Sequence, residues 1–180
     1  RIAVRGAQGG EREGPARHRG SAFGALAGAP QPTREQFENE LAVALGRMNP
    51  ALPVWVEDES ENLGTVNVPR AFFRQLRASP LLTLEVSDAV RLARVLKDYG
   101  SLPAEVMGRC LDHIKKRLGG LEHGRAHACL AANDLPGLAV ILLEYYDRAY
   151  ARQALNRLSA ATVRADDPDE AAVRLMELGF

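Results

Sequence analysis

Three consecutive acids, Glu57, Asp58 and Glu59, follow the short apolar run Val54-Trp55-Val56. Carboxylates at the carboxyl end of a buried strand can serve a phosphate or its metal, because a doubly wound α/β sheet binds ligands outside those strand ends. A solvated loop is the competing reading, since charge clusters after strands are common on surfaces. A second group is cationic: Arg17, His18 and Arg19 precede Gly20-Ser21-Ala22-Phe23-Gly24. His18, Arg19 and Ser21 could present donors to a phosphate or diphosphate, with the glycines permitting close backbone approach. A tight loop anchored by Phe23 is the alternative. Lys115, Lys116, Arg117 and Arg125 form a local positive face suited to RNA phosphates, or simply complement a helix dipole. Tyr145, Tyr146, Asp147 and Tyr150 concentrate aromatics in a chain that is only 6% aromatic. Such tyrosines stack on unpaired bases or pack a helix junction.

Other chemistry is missing from the sequence. It contains no G-x-x-x-x-G-K-[ST], so the loop and lysine that would cradle nucleotide phosphates are not encoded in it. The glycine-rich run from Gly6 to Gly14 has no lysine and no strand before it, and reads as disordered. Cys110 and Cys129 lack metal-type spacing and read as buried thiols. His113, His123 and His127 have no carboxylate or cysteine at ligand spacing in sequence; His123 and His127, four apart on one helix, could in principle share a metal, but half-buried or surface histidines are the expectation and no metal is assigned. Formal net charge is zero, so any nucleic-acid contact must come from local patches. No apolar run approaches the roughly 20 residues that span a bilayer, and the N-terminal residues do not read as a secretion signal. The expectation is a cytoplasmic protein with no membrane partner.

The elements that must position these groups follow from periodicity and punctuation. Residues 1–16, rich in Gly, Arg and Glu, are expected to be poorly ordered. Thr33 and Gln36 occupy capping-box positions ahead of Phe37, Leu41, Ala44, Leu45 and Met48 on one helical face, and Asn49-Pro50 ends that helix. Residues 53–57 read as a buried strand, Pro69 opens a second helix, residues 81–86 form a second strand, and Ser87 caps a helix to Tyr99. This order predicts parallel strands with right-handed crossovers. From Ser101 to Leu158 the pattern is helical, broken at Gly119-Gly120, with further helices over 121–132 and 135–146. Residues 161–164 form a last short strand, and Asp167-Pro168-Asp169-Glu170 starts a terminal helix.

Taken in order, HRGSAFG from His18, Pro30-Gln31-Pro32, Phe37-Glu38-Asn39, VEDES from Val56, Lys116-Arg117-Leu118-Gly119-Gly120 and Tyr145-Tyr146-Asp147 resemble the C-terminal, nucleotide-binding-like half of bacterial tRNA 2-selenouridine synthase, from about Arg17 to the C-terminus. The resemblance implies an α/β fold: an incomplete P-loop-NTPase-like parallel sheet of about three strands flanked by helices, with an all-helical subdomain. The expected organisation is a disordered segment over 1–16, an α/β region over 17–100, a helical subdomain over 101–158, and a strand and helix over 159–180 that complete the α/β region. It implies a tRNA-modifying transferase that converts wobble 2-thiouridine to 2-selenouridine through an S-geranyl intermediate, with geranyl diphosphate and selenophosphate as substrates. The anticodon region of tRNA is the implied partner. The rhodanese-like domain and phosphate loop of that family have no counterpart in the sequence, so a truncated chain, or an N-terminus from a wrong start or a shifted reading frame, is expected. The alternative is a catalytically incomplete tRNA-binding module needing a partner that carries those parts. Loss of a first strand would bare a sheet edge and lead to self-association.

Overall fold

The computed structural model describes residues 8–10, 12–18, 23, 30–58, 60–154 and 157–179. They fall into two compact units, Arg1–Leu84 with Ala160–Phe180, and Glu85–Ser159.

In the first unit, β1 (Gln8–Gly9) pairs in parallel with β2 (Val54–Trp55), Gln8 opposite Val54 and Gly9 opposite Trp55. Gly10 N–H extends the ladder to the Trp55 carbonyl at 2.7 Å. The glycine-rich leader therefore contributes a strand, where disorder is expected from its composition. The physical reason lies in side chains that composition averages away. Gln8 Nε2 donates to the Asn49 carbonyl at 2.9 Å, satisfying backbone just beyond the helix over Arg34–Gly46. Arg12, 1% exposed, donates to the Glu57 carbonyl at 2.5 Å.

After the short helix α1 (Glu13–Ala16), α2 (Arg34–Gly46) starts at Thr33, whose side chain accepts from Gln36 N–H at 3.2 Å, as an N-cap should. Its Phe37 and Leu41 face, with Leu45 packed behind, closes a core that includes Ala16, Leu63, Val66 and Val68, with Phe72 and Phe73 against it. Leu63 and Val66 belong to a hairpin, β3 (Asn62–Leu63) and β4 (Val66–Asn67), antiparallel through the two-residue turn Gly64-Thr65. Gly64 has φ +66°, the left-handed backbone that such turns demand at their first central residue. Next come α3 (Arg70–Ala78), β5 (Leu81–Glu85) paired with β6 (Ser159–Arg164), and α8 (Pro168–Glu177). Asp167 accepts from the N–H groups of Asp169 and Glu170, capping α8.

The fold is α/β, but the single parallel sheet expected from the strand-helix alternation is replaced, among the described residues, by three two-stranded sheets. Two causes are visible. The Gly64-Thr65 turn sends the chain straight back after β3, and β5 pairs with the C-terminal strand rather than with β2. Residues 53–57 are also less buried than their apolar character suggests: only Val54–Trp55 is strand, and Val54 is exposed.

The second unit comprises α4 (Asp88–Tyr99), α5 (Ala104–Leu118), α6 (Gly120–Ala131) and α7 (Leu135–Ala154). Helix α4 packs on α7, α5 on α6, and α6 on α7. On α5 the spacing of Met107, Leu111, Ile114 and Leu118 places all four on one buried stripe. Gly119, at φ +92°, separates α5 from α6. Asn133 takes the left-handed conformation that asparagine tolerates, and the Asp134 side chain accepts Gly137 N–H at 2.9 Å to start α7. Helix α7 runs eight residues beyond the end expected at Tyr146, which makes Tyr150 helical. None of the described helices is long and apolar enough to cross a membrane.

Candidate functional site

In the first unit the polar groups gather around the β3–β4 turn. Gln31, from the Pro-Gln-Pro segment, is the centre of the network. Its Nε2 donates to the carbonyls of Leu63 at 2.8 Å and Ala16 at 3.1 Å, while its Oε1 accepts from Thr65 N–H at 2.8 Å and Thr65 Oγ1 at 3.1 Å. One amide thus joins the end of α1 to both sides of the turn. His18 lies against the same turn: a Cβ added to Gly64 would stand 2.7 Å from His18 Cδ2 and 2.1 Å from Gln31 Oε1. His18 is buried, and burial pushes its imidazole pKa below the ordinary value, favouring the neutral ring at neutral pH. A neutral imidazole can still hydrogen-bond a phosphate, but it brings no charge to it.

Arginines meet Glu57 at its backbone and Asp58 at its carboxylate. Glu57 gives its backbone carbonyl to Arg12, and its residue is exposed. Asp58 faces Arg77 of α3, whose Nη1 reaches both carboxylate oxygens at 3.3 Å, with both side chains about a quarter exposed. Glu59, Arg19 and Ser21 lie outside the described residues. Arg12, Gln31 and Arg77 were not singled out from the sequence as site residues. Only Gln31 left a signal there, through the Pro-Gln-Pro motif.

In the second unit, Lys115, Lys116 and Arg117 occupy the last turn of α5, all exposed, where their charge complements the helix dipole. Arg125, expected to extend that positive face, pairs with Glu122 at 3.0 Å. Tyr145 and Tyr146 meet edge to face with centroids 5.0 Å apart, and Tyr150 follows one turn later, exposed. Asp147 forms a two-pronged ion pair with Arg91 of α4, which also reaches Asp88 at 3.2 Å. The hydrogen bond to Asp147 chiefly holds the Arg91 guanidinium above its ordinary pKa. Cys110 and Cys129 are free and half-buried, and burial raises the Cys110 thiol despite Arg109 beside it, which opposes a reactive thiolate. Asp112, ignored in the sequence reading, meets both His123 and His127. The expected site residues thus separate into a first group, His18, Glu57 and Asp58, and a second, Lys116, Arg117, Tyr146, Asp147 and Tyr150, one in each unit.

An α/β unit with a short parallel strand pair, a polar turn network and a separate helical unit is the class of structure these residues define. Residues 11–106 match a family model described as the tRNA 2-selenouridine synthase AAA domain, and the chain belongs to the tRNA 2-selenouridine synthase family. It is 36% identical over 185 residues to the tRNA 2-selenouridine synthase of Cupriavidus necator, and 32% identical over 185 residues to that of Shewanella halifaxensis, in each case covering 86% of this chain and 50% of the relative. Identity to the Nitrosomonas europaea protein of the same name is 44% over 90 residues, covering 48% of this chain and 23% of the relative. The chain therefore spans about half the length of the curated relatives it matches most fully. No solved structure matches.

Proposed function

We propose that this chain is the C-terminal portion of a tRNA 2-selenouridine synthase, acting in the cytoplasm on the wobble uridine of tRNA. Membership of that family is the observation that carries the reading. In the proposed reaction, the sulfur of 2-thiouridine is alkylated by geranyl diphosphate with release of diphosphate; the selenium of selenophosphate then adds at C2 and expels geranyl thiolate, and water cleaves the P–Se bond to release phosphate and leave 2-selenouridine. The α/β unit, read as an incomplete P-loop-like sheet, supplies the diphosphate or tRNA-backbone site through His18, Arg19 and Ser21. Glu57, Asp58 and Glu59 belong to its polar surround. Lys116, Arg117, Tyr146, Asp147 and Tyr150 form a surface on the helical unit for tRNA phosphates and unpaired anticodon bases. The rhodanese and phosphate-loop parts come from a further segment or partner, and exposed strand edges favour a second copy of the chain.

A second reading, a catalytically incomplete tRNA-binding module, is supported by one structural fact. Asp58 and Asp147 are ion-paired to Arg77 and Arg91, the arrangement of acids that hold a scaffold rather than acids that take a metal. One experiment separates the readings. The purified chain is titrated with bulk tRNA, and with the same tRNA cleaved in its anticodon loop, at two salt concentrations; modification is then assayed with the rhodanese-bearing half added. Loop-dependent, salt-sensitive binding with 2-selenouridine formation supports the first reading. Binding that never leads to modification supports the second. Absence of binding with and without the added half refutes both.

A further inference from the structure

We propose that Asp112, His123 and His127 form a binding site for a divalent late first-row transition metal, with Zn²⁺ the foremost candidate, tying α5 to α6. This site lies within the helical unit and is independent of the tRNA reading above.

The geometry comes from two simple regularities. His123 and His127 are four residues apart on α6, so their rings project from one face, with centroids 4.5 Å apart. Asp112 lies on α5, which packs directly on α6. Its Oδ1 stands 2.9 Å from His123 Nε2 and 3.1 Å from His127 Nε2, and the three candidate ligand atoms all lie within 4.8 Å of one another. A tetrahedral ion with bonds of about 2.0–2.1 Å separates its ligands by about 3.3 Å. The two Asp112–histidine separations need to open by only a few tenths of an ångström, and the two imidazole nitrogens, within 4.8 Å of each other, to close by at most about 1.5 Å. Ring rotation about the soft terminal torsion of each histidine is the motion that adjusts them.

The donor chemistry fits the same class. Two imidazoles and one carboxylate suit zinc and its neighbours in the first transition series, whereas magnesium and calcium prefer oxygen alone. One carboxylate against a 2+ ion leaves a net positive site, tolerable because Asp112 is 63% exposed to water. An aspartate is ionised at neutral pH at its ordinary pKa, so the oxygen ligand carries its charge. With three protein ligands, a fourth position stays open to water. The buried stripe of Met107, Leu111, Ile114 and Leu118 already holds α5 in place, so packing alone does not call for this polar cluster on its rim.

The test uses the full chain, freed of metal with a chelator. Zn²⁺ is titrated in competition with a chromophoric chelator, and Co²⁺ is followed by its visible absorbance. One equivalent is expected to bind. Changing an outer-shell partner of a metal site typically costs 10–100-fold in affinity, so loss of a direct ligand in His123→Gln or His127→Gln should weaken binding by about 100-fold or more, and Asp112→Asn by about 10-fold or more. A His113→Gln, Cys110→Ser, Cys129→Ser variant should bind as the parent does. Helical circular dichroism checks that each variant is folded, and the titration of the parent chain decides the question should one fail. Lack of saturable uptake by the parent chain, or uptake that survives loss of both histidines, overturns the proposal.

Discussion

Removing the Gln31 side chain should unfasten the first unit. Gln31→Ala strands the carbonyl of Ala16, a residue with 0% exposure, and takes one of two donors from that of Leu63, also 0% exposed, which keeps the Val66 N–H across the hairpin. It also frees the Thr65 N–H and hydroxyl, which sit at an exposed turn and regain water. A typical hydrogen bond contributes about 1 kcal/mol net, and a buried acceptor left without a partner costs about 1–3 kcal/mol. With the Thr65 pair counted as nearly neutral, about 1 kcal/mol for the Leu63 bond and about 1–3 kcal/mol for the Ala16 carbonyl give a loss of about 2–4 kcal/mol. Trp55 is the only tryptophan and sits in β2, so its fluorescence reports the first unit, while circular dichroism is weighted towards the helices of the second. At a urea slope of about 1–3 kcal/mol per molar, the Trp55 midpoint should fall by about 1–2 M while the helical transition moves little. Gln31→Glu sharpens the test. It keeps the oxygen that accepts both Thr65 donors but turns a second oxygen, in place of the NH₂ group, towards two carbonyls. Glu should therefore be at least as damaging as Ala at neutral pH. A shift under about 0.5 kcal/mol, the size of an ordinary surface substitution, would refute the reasoning, as would a Glu variant more stable than the Ala variant.

Gly64→Ala should cost about 2–4 kcal/mol in the same Trp55 assay, combining the roughly 1–2 kcal/mol penalty of left-handed backbone with displacement of the Gln31 amide. Part of that cost should vanish in the Gln31→Ala background, because the two changes share the clash; strict additivity would contradict the contact. His18 gives a pH signature. Its folded pKa lies below the unfolded value of about 6.5, so between the two pKa values the unfolded chain binds more protons, and stability rises with pH. The contribution is fully present above about pH 6.5 and is lost as pH falls through the folded pKa. Denaturation midpoints at pH 7.5 and 5.5 should differ more for the parent chain than for His18→Gln, and equal differences would refute a buried neutral imidazole.

What the sequence made legible was local. Thr33 capping α2, the Phe37, Leu41 and Leu45 face behind it and the start of α8 at Asp167-Pro168 are relationships within a few residues, where 3.6-residue periodicity and capping chemistry operate. Strand pairing was not legible, because it depends on which distant backbone finds which. Two-residue strands such as Val54–Trp55 are too short for a period of two to register. The β3–β4 hairpin did have a signal, a Gly-X pair between Leu63 and Val66, but one too brief to stand out against its polar flanks. Arg12, Arg77 and Arg91 were invisible for another reason. An arginine's partner is fixed by tertiary approach, and on a sequence these three look like any other surface cations.

Those arginines change what the acids can be asked to do. An isolated carboxylate at a strand end is available to a metal or a phosphate-bound ion, and that availability gave the acidic run its appeal. In the structure Asp58 is half-buried with a guanidinium against it, and to serve a cation it would have to give up that pair. Breaking a partly buried ion pair leaves the arginine uncompensated, so recruitment of Asp58 by a metal carries a penalty that a free acid does not. Asp112 instead meets His123 and His127, through hydrogen bonds of the kind that a single divalent ion replaces by displacing protons. If a metal acts anywhere among the described residues, these contacts favour the helical unit, and the run after β2 serves the α/β unit through its framework.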